Sequence, residues 1–341
     1  MRVLVTGHRG YIGPWVVRLF KDAGHEVVGV DVGLFEGCAF EPLPYADAEW
    51  SRDFRDLSVR DLASFDAIVH LAAISNDPMG ELDPGLTRAV NLEGSVALAE
   101  CARDAGVSRF LFSGSCSVHG KGGDDAPADE SSPVQPLSVY AESKVLAETR
   151  IGALAQPGFS PVFLRNATAF GHSPMLRIDL VVNNLLACAV ARGEIRIHSD
   201  GSPWRPLIHC RDIAAALLAI AEAPVELTHG LAINVGDDGQ NYRVKDVADV
   251  VGNLVPTARV IYTGEAVDDP RDYRVSFSRL RRLLPAFAPL YDLRTGAEDL
   301  LRRLQQRGFR QTDFDSPRYV RLRTLQRRGE VAELRYEKSS V

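Results

Sequence analysis

Short runs of apolar and β-branched residues alternate with helical patterns through the first half of this chain, and no other feature constrains its fold as strongly. The strand candidates are Arg2 to Thr6, Glu26 to Asp31, Asp66 to Ala72, Arg109 to Ser113 and Pro161 to Arg165. Helical periodicity covers Tyr11 to Ala23, Leu86 to Ala105 and Val139 to Leu154. Strands that alternate with helices form parallel βαβ units, and strands this apolar are covered on both faces. The sequence therefore predicts an α/β fold with a doubly wound parallel sheet.

The strict alternation ends at about Gly171, which indicates a smaller second domain. We expect residues 1–170 to form the sheet domain, together with a returning segment near residues 207–235. This segment would add one more strand to the sheet, at Ala232 to Val235. Residues 171–341 would then form mainly a smaller C-terminal domain.

The end of the chain is rich in arginine. From Arg302 to Arg335 there are ten arginines and four acids. A solvated helix face explains this composition. Its inward residues would be Leu301, Leu304, Leu322 and Leu325. A surface for an anion or a partner is the alternative.

The composition is that of an ordinary globular chain, with 341 residues, 45% hydrophobic residues and a net charge of -6. Such a chain has no global positive field to hold nucleic acid or an anionic membrane, so we expect a small molecule as its partner. The five cysteines are widely spaced and form no Cys-x-x-Cys pair, which indicates no metal site and favours a reducing cytoplasm. No targeting segment is evident, and the apolar run Ile213 to Ala223 is too short to span a bilayer.

A glycine-rich turn follows the first strand. It contains Gly7, Gly10, Tyr11, Ile12 and Gly13. Gly7 suits a tight turn, Gly10 allows backbone to approach a pyrophosphate, and Gly13 allows close packing of helix and strand. The second strand ends at Asp31, where a carboxylate accepts hydrogen bonds from both hydroxyls of an adenosine ribose and repels a 2′-phosphate. The two features together predict a Rossmann site for NAD rather than NADP.

Tyr140 and Lys144 are four residues apart, a spacing that places a phenol and an ammonium on one face of a helix. A neighbouring ammonium favours the phenolate, so Tyr140 is a candidate general base at neutral pH. The pair follows a strand that ends in the hydroxyl residues Ser113 and Ser115. Open α/β sheets bind ligands at this carboxyl edge, which indicates a catalytic site there.

These motifs together resemble the extended short-chain dehydrogenase/reductase family of NAD-dependent nucleotide-sugar epimerases and dehydratases. The resemblance rests on the glycine pattern, Asp31, Asp56-Leu57, His70 to Ala73, Asn91, the serine-rich strand end, Tyr140 with Lys144, and Leu164 to Asn166. It implies that Lys144 also binds the nicotinamide ribose and that Ser115 hydrogen-bonds the sugar oxygen that is oxidised. The further cofactor contacts it implies are Asp56, Leu57, Leu71, Ala72, Ala73, Asn91 and Ser113.

The resemblance also implies that the C-terminal domain binds a nucleotide-diphosphate sugar of the UDP- or dTDP-hexose class. Arg205 and Arg271 would bind the diphosphate, for which fork-shaped guanidinium groups are well suited. The other implied substrate contacts are Ser75, Ser115, Cys116, Asn166, Asn184 and Leu185. Relatives commonly dimerise through the two long helices beside the sheet, so a homodimer is expected.

Three residues at the end of the serine-rich strand distinguish the reactions of this family: Ser115, Cys116 and Ser117. Members that eliminate water have Thr-Asp-Glu here, because elimination needs a base for the C5 proton and an acid for the leaving hydroxyl. Ser117 also stands where the decarboxylating branch has glutamate and the 3,5-epimerising branch has cysteine. The residues that remain suffice for reversible oxidation at one carbon, which favours a 4-epimerase.

In the expected mechanism, Tyr140 removes the C4 hydroxyl proton while hydride passes to tightly bound NAD, and Ser115 stabilises the developing carbonyl. The 4-keto sugar then turns, and hydride returns to its other face. An NDP-4-ketosugar reductase or dehydratase of a deoxysugar or antibiotic pathway is an alternative. A non-catalytic dinucleotide-sensing regulator is an alternative from another class. Cys116 is either an inert buried thiol or an acid, and His119 is either structural or a second acid/base.

Overall fold

The computed structural model describes residues 1–75, 77–121, 126–264 and 271–328. The strands are β1 (Arg2–Thr6), β2 (Glu26–Asp31), β3 (Ala48–Ser51), β4 (Ala67–His70), β5 (Arg109–Ser115), β6 (Ser160–Asn166), β7 (Thr168–Phe170), β8 (Glu194–Ile197), β9 (Trp204–His209), β10 (Ala232–Val235), β11 (Asn241–Arg243) and β12 (Arg259–Tyr262). The helices are α1 (Gly13–Asp22), α2 (Val59–Leu62), α3 (Asp77–Leu82), α4 (Pro84–Arg88), α5 (Ser95–Asp104), α6 (Val139–Gly152), α7 (Val181–Arg192), α8 (Cys210–Glu222), α9 (Val225–Thr228), α10 (Val244–Leu254), α11 (Ser278–Leu283), α12 (Leu293–Arg307), α13 (Gln311–Asp315) and α14 (Arg321–Arg328).

Seven strands form one parallel sheet in the order β10-β6-β5-β4-β1-β2-β3, so the predicted doubly wound sheet is confirmed. The chain runs outward from β1 through β2 to β3 and then returns to β4 on the other side of β1. This reversal creates a crevice at the carboxyl ends of β1 and β4, which is where open α/β sheets bind ligands. The topology therefore determines where the site lies.

Both faces of the sheet are buried, as its apolar strands require. Val3 and Val5 of β1 pack on one face with α1 and α8, whereas Leu4 packs on the other face with α5 and α6. Successive side chains of a strand point to opposite faces, so one short apolar run contributes to both cores. Helices on both faces thus hold the strand ends in fixed positions.

Two details of the predicted elements are corrected by the structure. The sequence analysis misses β3, because Ala48–Ser51 is short, partly polar and only half-buried at the edge of the sheet. The helix predicted over Leu86 to Ala105 is present, but a π-helical stretch, Ala89–Gly94, interrupts its α-helical hydrogen bonding between α4 and α5. Apolar periodicity does not distinguish these hydrogen-bond patterns, and π-helical turns frequently occur at functional sites.

The smaller part of the structure surrounds a third apolar core, to which α7, α10 and α12 contribute. Its strands form a three-stranded sheet in the order β11-β9-β7 and a two-stranded sheet of β8 and β12. Between β9 and β11 the chain returns to the large sheet, where β10 pairs with β6 at the residues that the sequence indicates. Across the described ranges, no helix is both long and apolar enough to cross a bilayer.

The arginine-rich end is more than a solvated face. Leu304 and Leu325 are buried as expected, and Leu301 and Leu322 are partly buried. The side chain of Arg321, however, is also buried. Residues 329–341, which include the end of this segment, lie outside the described residues.

Candidate active site

A cavity of about 310 Å³ lies at the carboxyl edge of the large sheet, across the ends of β1, β2, β4, β5 and β6. The predicted site residues that line it are Gly7, Gly10, Tyr11, Ile12, Gly13, Asp31, Leu71, Ala72, Ala73, Ser75, Ser113, Ser115, Tyr140, Lys144, Asn166 and Arg271. The predicted site residues that are not part of its lining are Asp56, Leu57, Asn91, Cys116, Asn184, Leu185 and Arg205. The fold thus brings together residues that are far apart in the chain.

The glycine-rich turn forms one end of the cavity. Gly7 has a φ of +73°, a left-handed conformation that favours glycine. A Cβ on Gly7 would lie 2.8 Å from the backbone nitrogen of Ala72, and a Cβ on Gly13 would lie 2.3 Å from the carbonyl oxygen of His8. The turn therefore packs too tightly for side chains, and it leaves bare backbone at the start of α1, which suits an elongated anion.

Asp31 ends β2 at the same edge of the cavity. Its Oδ1 accepts a hydrogen bond of 2.8 Å from the Gly33 N–H, and its Oδ2 accepts one of 3.1 Å from the Arg9 N–H. These two backbone donors orient the carboxylate. Each oxygen keeps a lone pair for a further donor, such as a ribose hydroxyl.

A buried histidine holds the end of β4 in place. His70 Nδ1 lies 2.7 Å from Thr6 Oγ1, and its Nε2 lies 2.9 Å from Ser95 Oγ. The Thr6 hydroxyl oxygen also accepts from the Ala72 N–H at 3.3 Å. Burial lowers the pKa of His70 to about 3, so the ring is neutral at physiological pH. This network connects the ends of β1 and β4, and it fixes the backbone that lines the cavity.

Asn91 acts on the cavity through its neighbours rather than as part of the lining, which corrects its predicted place. It is fully buried in the π-helical stretch. Its Oδ1 accepts from the Ile74 N–H at 2.8 Å, and its Nδ2 donates to the Ile74 carbonyl at 3.0 Å and to Ser143 Oγ at 3.3 Å. The amide therefore ties the loop after β4, which does line the cavity, to helix α6.

Helix α6 carries the predicted catalytic pair. The Ser138 hydroxyl caps its first turn by accepting from the Ala141 N–H at 3.1 Å. Lys144 Nζ lies 6.0 Å from the centroid of the Tyr140 ring and 4.6 Å from that of Phe112. It is buried, and burial lowers the pKa of this ammonium to about 7. The predicted pair thus shares one helix face at the cavity wall.

The serine-rich end of β5 supplies polar groups to the same wall. The Ser113 hydroxyl accepts from Asn166 Nδ2 at 3.0 Å, and the Ser115 hydroxyl accepts from the Ser117 N–H at 3.1 Å. Ser117 and Asn166 belong to the cavity lining. Within the described ranges, the buried Ser117 Oγ and Asn166 Oδ1 atoms have no hydrogen-bond partner in the protein. Buried polar groups are normally paired, so a polar group bound beside them would complete their hydrogen bonding.

The cofactor contacts predicted at Asp56 and Leu57 need a correction. A short 3-10 turn, Phe54–Asp56, presents Asp53, Phe54 and Arg55 to the cavity instead of Asp56 and Leu57. Asp53 caps this turn and also accepts from the Arg55 guanidinium. Leu57 is turned into the sheet core. The sequence locates the segment correctly but misplaces its exposed face by a few residues.

Cys116 is not on the cavity wall. Its side chain is 0% exposed, and its thiol donates to the Arg165 carbonyl at 3.0 Å. Burial raises the pKa of this thiol well above its ordinary value, which opposes an acid role. His119 is also buried outside the lining, and burial lowers its pKa to about 4. Both residues therefore have the structural character that the sequence analysis leaves as one alternative.

Three predicted substrate contacts of the C-terminal domain, Asn184, Leu185 and Arg205, are not part of the lining and have other partners. Asn184 Nδ2 donates to the Ile178 carbonyl at 2.9 Å, and Leu185 belongs to the third apolar core. Arg205 is buried and donates from Nη1 to the Trp204 carbonyl at 2.8 Å and to the Arg271 carbonyl at 2.5 Å. Arg205 thus supports Arg271, which does line the cavity.

Arg177 is a cavity residue that the sequence analysis misses. It is buried, forms a two-pronged ion pair with Asp179 at 2.8 and 3.0 Å, and donates from Nη1 to Ser75 Oγ at 3.1 Å. The sequence marks this residue only by an acid two positions later, in the segment between β7 and α7. This is a weak signal for a binding residue in a chain whose common base is arginine.

The model of the NAD dependent epimerase/dehydratase family matches residues 3–236. The chain belongs to this family. It is 30% identical over 273 residues to a UDP-glucose 4-epimerase of Streptomyces lividans, and the match covers 73% of this chain and 80% of the relative. The structure of MoeE5 in complex with UDP-glucuronic acid and NAD is 27% identical, with a TM-score of 0.77, and covers 90% of this chain and 99% of that one. TunA, an NAD-dependent NDP-hexosamine 5,6-dehydratase, is alike in fold, with 24% identity, a TM-score of 0.80, and coverage of 89% of this chain and 98% of that one.

The cavity of this epimerase/dehydratase family member fits NAD, the cofactor of the family. The tight backbone at Gly7 and Gly13 suits a diphosphate, because a side chain there would block its approach. Asp31 stands at the end of β2 with lone pairs to accept from ribose hydroxyls. Tyr140 and Lys144 line the same cavity at the ends of β5 and β6.

Proposed function

We propose that this enzyme inverts the configuration at C4 of a nucleotide-diphosphate sugar through a transient 4-keto intermediate, with NAD held throughout the cycle. The Streptomyces lividans relative supports this proposal by its name, UDP-glucose 4-epimerase. MoeE5 has been solved with UDP-glucose as well as with UDP-glucuronic acid, which supports a UDP- or dTDP-hexose as the substrate class. The cavity has polar groups for such a molecule, including Arg271 and Ser75.

The observation that carries the proposal is the distribution of acids around the cavity. Among the described residues of its lining, the carboxylates are Asp31 and Asp53. Asp31 is the predicted ribose ligand, and Asp53 caps a turn and binds Arg55. Elimination of water needs a further base and acid beside the sugar, whereas epimerisation at one carbon needs a single reversible base. Cys116, which stands where the eliminating branch has its acid, is buried in the core.

The residues of the chain provide proton transfer and orientation. When bound, NAD supplies the chemistry of hydride acceptance and return. Tyr140 takes the proton of the C4 hydroxyl and later gives it back, and the Lys144 ammonium favours its phenolate form. The Ser115 hydroxyl accepts from the Ser117 N–H, so its own proton can be donated to the developing carbonyl oxygen. Inversion then requires the keto sugar to turn, which anchoring at its diphosphate end permits.

The test is to incubate the purified enzyme with UDP- and dTDP-hexoses and to follow the C4 configuration by NMR. We expect C4 epimers to form without added cofactor, because NAD is recycled in place, and we expect Tyr140→Phe to slow their formation by at least roughly 10²-fold. Elimination products with no epimers would support a dehydratase and overturn the proposal. Consumption of added NADH with a 4-keto sugar would support a reductase, and binding of NAD without turnover would support a sensor.

We also propose that the protein is a cytoplasmic homodimer. Its five cysteines are free thiols, as expected in a reducing compartment. Helices α5 and α6 pack side by side on one face of the sheet. Leu146 of α6 and Leu137, just before α6, are exposed. Exposed leucines on one helix of such a pair suit a two-fold interface. Light scattering would give twice the mass of the chain, and Leu146→Glu would shift it towards the monomer.

A further inference from the structure

The C-terminal segment 317–325, here called the strap, connects the two parts of the molecule. At one end Tyr319 is buried in the core of the smaller part, and at the other Leu325 is buried in a core of the large sheet. The Tyr319 carbonyl accepts from the Ile178 N–H at 3.0 Å, and the Thr324 hydroxyl donates to the Pro317 carbonyl at 2.6 Å. The strap is therefore fixed by packing on both sides.

Arg321 lies between these two anchors and lines the cofactor cavity. Its side chain is 2% exposed, and its guanidinium carbon lies 4.5 Å from the centroid of the Phe35 ring. Nη2 donates to the Met175 carbonyl at 3.0 Å, and Nη1 donates to the Arg318 carbonyl at 3.5 Å. Ring stacking and carbonyl bonds orient the guanidinium but do not neutralise its charge.

The charge around Arg321 is unbalanced. In the part of the chain that the structure describes, Arg321 forms no ion pair. The nearby Asp179 carboxylate is paired with the guanidinium of Arg177. Burial and the charge of Arg177 lower the pKa of Arg321 to about 10, which still leaves it charged at neutral pH. Buried cations are normally paired, so a cavity lined by both arginines suits an anionic ligand.

The position of Arg321 in the cavity indicates which anion it would bind. Asp31, at the end of β2, and Phe35, in the loop after it, line the same cavity. The negative charge of Asp31 interacts favourably with the Arg321 guanidinium. This is the end of the cavity with the predicted adenosine ribose ligand. The glycine-rich turn adjoins it, because β1 pairs with β2 and the Arg9 N–H of that turn donates to Asp31. The sugar end, with Tyr140 and Ser115, belongs to β5 and α6.

We propose that Arg321 binds the diphosphate of NAD, so that the strap completes the cofactor site from the C-terminal end of the chain. Residues 3–236 match the family model, so this contact comes from outside the matched region. The strap would hold the dinucleotide between the glycine-rich turn and a guanidinium, which suits a cofactor that stays bound through many cycles. The inference depends on the cofactor of the family and not on the sugar that is converted.

The test compares Arg321→Gln, Arg321→Lys and the control Arg323→Gln, whose residue lies on the same helix but is exposed. NAD that remains bound after gel filtration is quantified over time, without any sugar, and UDP affinity is measured by calorimetry. We expect Arg321→Gln to release NAD at least tenfold faster, Arg321→Lys to restore part of the retention, and Arg323→Gln to match the wild type. UDP affinity should stay within about twofold in all three variants.

Three outcomes would overturn the inference. Unchanged NAD release in Arg321→Gln would show that the guanidinium does not bind the cofactor. A tenfold loss of UDP affinity with NAD retention unchanged would assign Arg321 to the diphosphate of the nucleotide sugar. Equal losses of NAD and UDP affinity with a lower melting temperature, not restored by Arg321→Lys, would assign it a purely structural role in the strap.

Discussion

Lys144 Nζ donates a hydrogen bond of 2.9 Å to the carbonyl oxygen of Ser113, at the end of β5. The ammonium is thereby fixed to the edge of the sheet, on the same helix face as the Tyr140 ring. The Ser113 hydroxyl in turn accepts from Asn166 at the end of β6. A backbone carbonyl and two strand ends thus set the position of the cation that the proposed base needs.

Replacement of Tyr140 by phenylalanine should lower turnover by roughly 10² to 10⁴-fold, because the proton of the C4 hydroxyl loses its acceptor. Lys144→Met should cause a loss in the same range, because the phenolate loses its neighbouring charge. Turnover is measured by NMR of the sugar, and bound NAD is measured in parallel. Tyr140→Phe with normal turnover and normal NAD content would exclude Tyr140 as the base.

Ser115→Ala and Cys116→Ala form a matched pair of adjacent substitutions with opposite expected results. Ser115→Ala should lower turnover by roughly 10²-fold, because the developing oxyanion loses a donor. Cys116→Ala should keep turnover within about twofold and lower the melting temperature, because its thiol is buried and bonded to the Arg165 carbonyl. A large loss of turnover in a stably folded Cys116→Ala variant would show that this thiol takes part in catalysis.

The large sheet and much of the cavity wall could be predicted from the sequence because their signals are local. β1 and β2 follow from short apolar runs, and the Tyr140–Lys144 pair follows from helical spacing together with its position after the serine-rich strand. The glycine-rich turn adds a backbone requirement that is written directly in the sequence. In each case the residues that carry the signal are neighbours in the chain.

The features of the cavity that the sequence does not predict depend on contacts between segments that are distant in the chain. Arg321 reaches the cavity only because Tyr319 and Leu325 pack into two different cores, and neither contact has a local signature. The exposed face of the turn at Phe54–Asp56 is set by the cap at Asp53, and a shift of a few residues changes which side chains line the cavity. The composition of the arginine-rich C-terminal segment is equally consistent with a solvated helix face.

Asp31→Asn should weaken the preference for NAD over NADP. The amide oxygen can still accept from one of the two backbone donors, Gly33 N–H or Arg9 N–H, and the substitution removes the negative charge that would repel a 2′-phosphate. We expect the ratio of the two dissociation constants to fall by about tenfold, which corresponds to roughly 1.4 kcal/mol. The measurement is competition of each dinucleotide for the site. An unchanged ratio would mean that another group excludes the phosphate.

Acid should destabilise the protein before most carboxylates are protonated. Burial lowers the pKa of His70, His172 and His209 to about 3 and that of His119 to about 4, from 6.5. Below pH 6.5 the unfolded chain takes up these protons first, so stability present at pH 7 is lost as the pH falls, by about 1.4 kcal/mol per pH unit for each histidine. Urea unfolding from pH 6.5 to 4.5 measures this slope. His119→Gln should reduce this slope by up to one proton, because it removes one of the desolvated rings. A flat profile would mean that these rings are not desolvated as the structure has them.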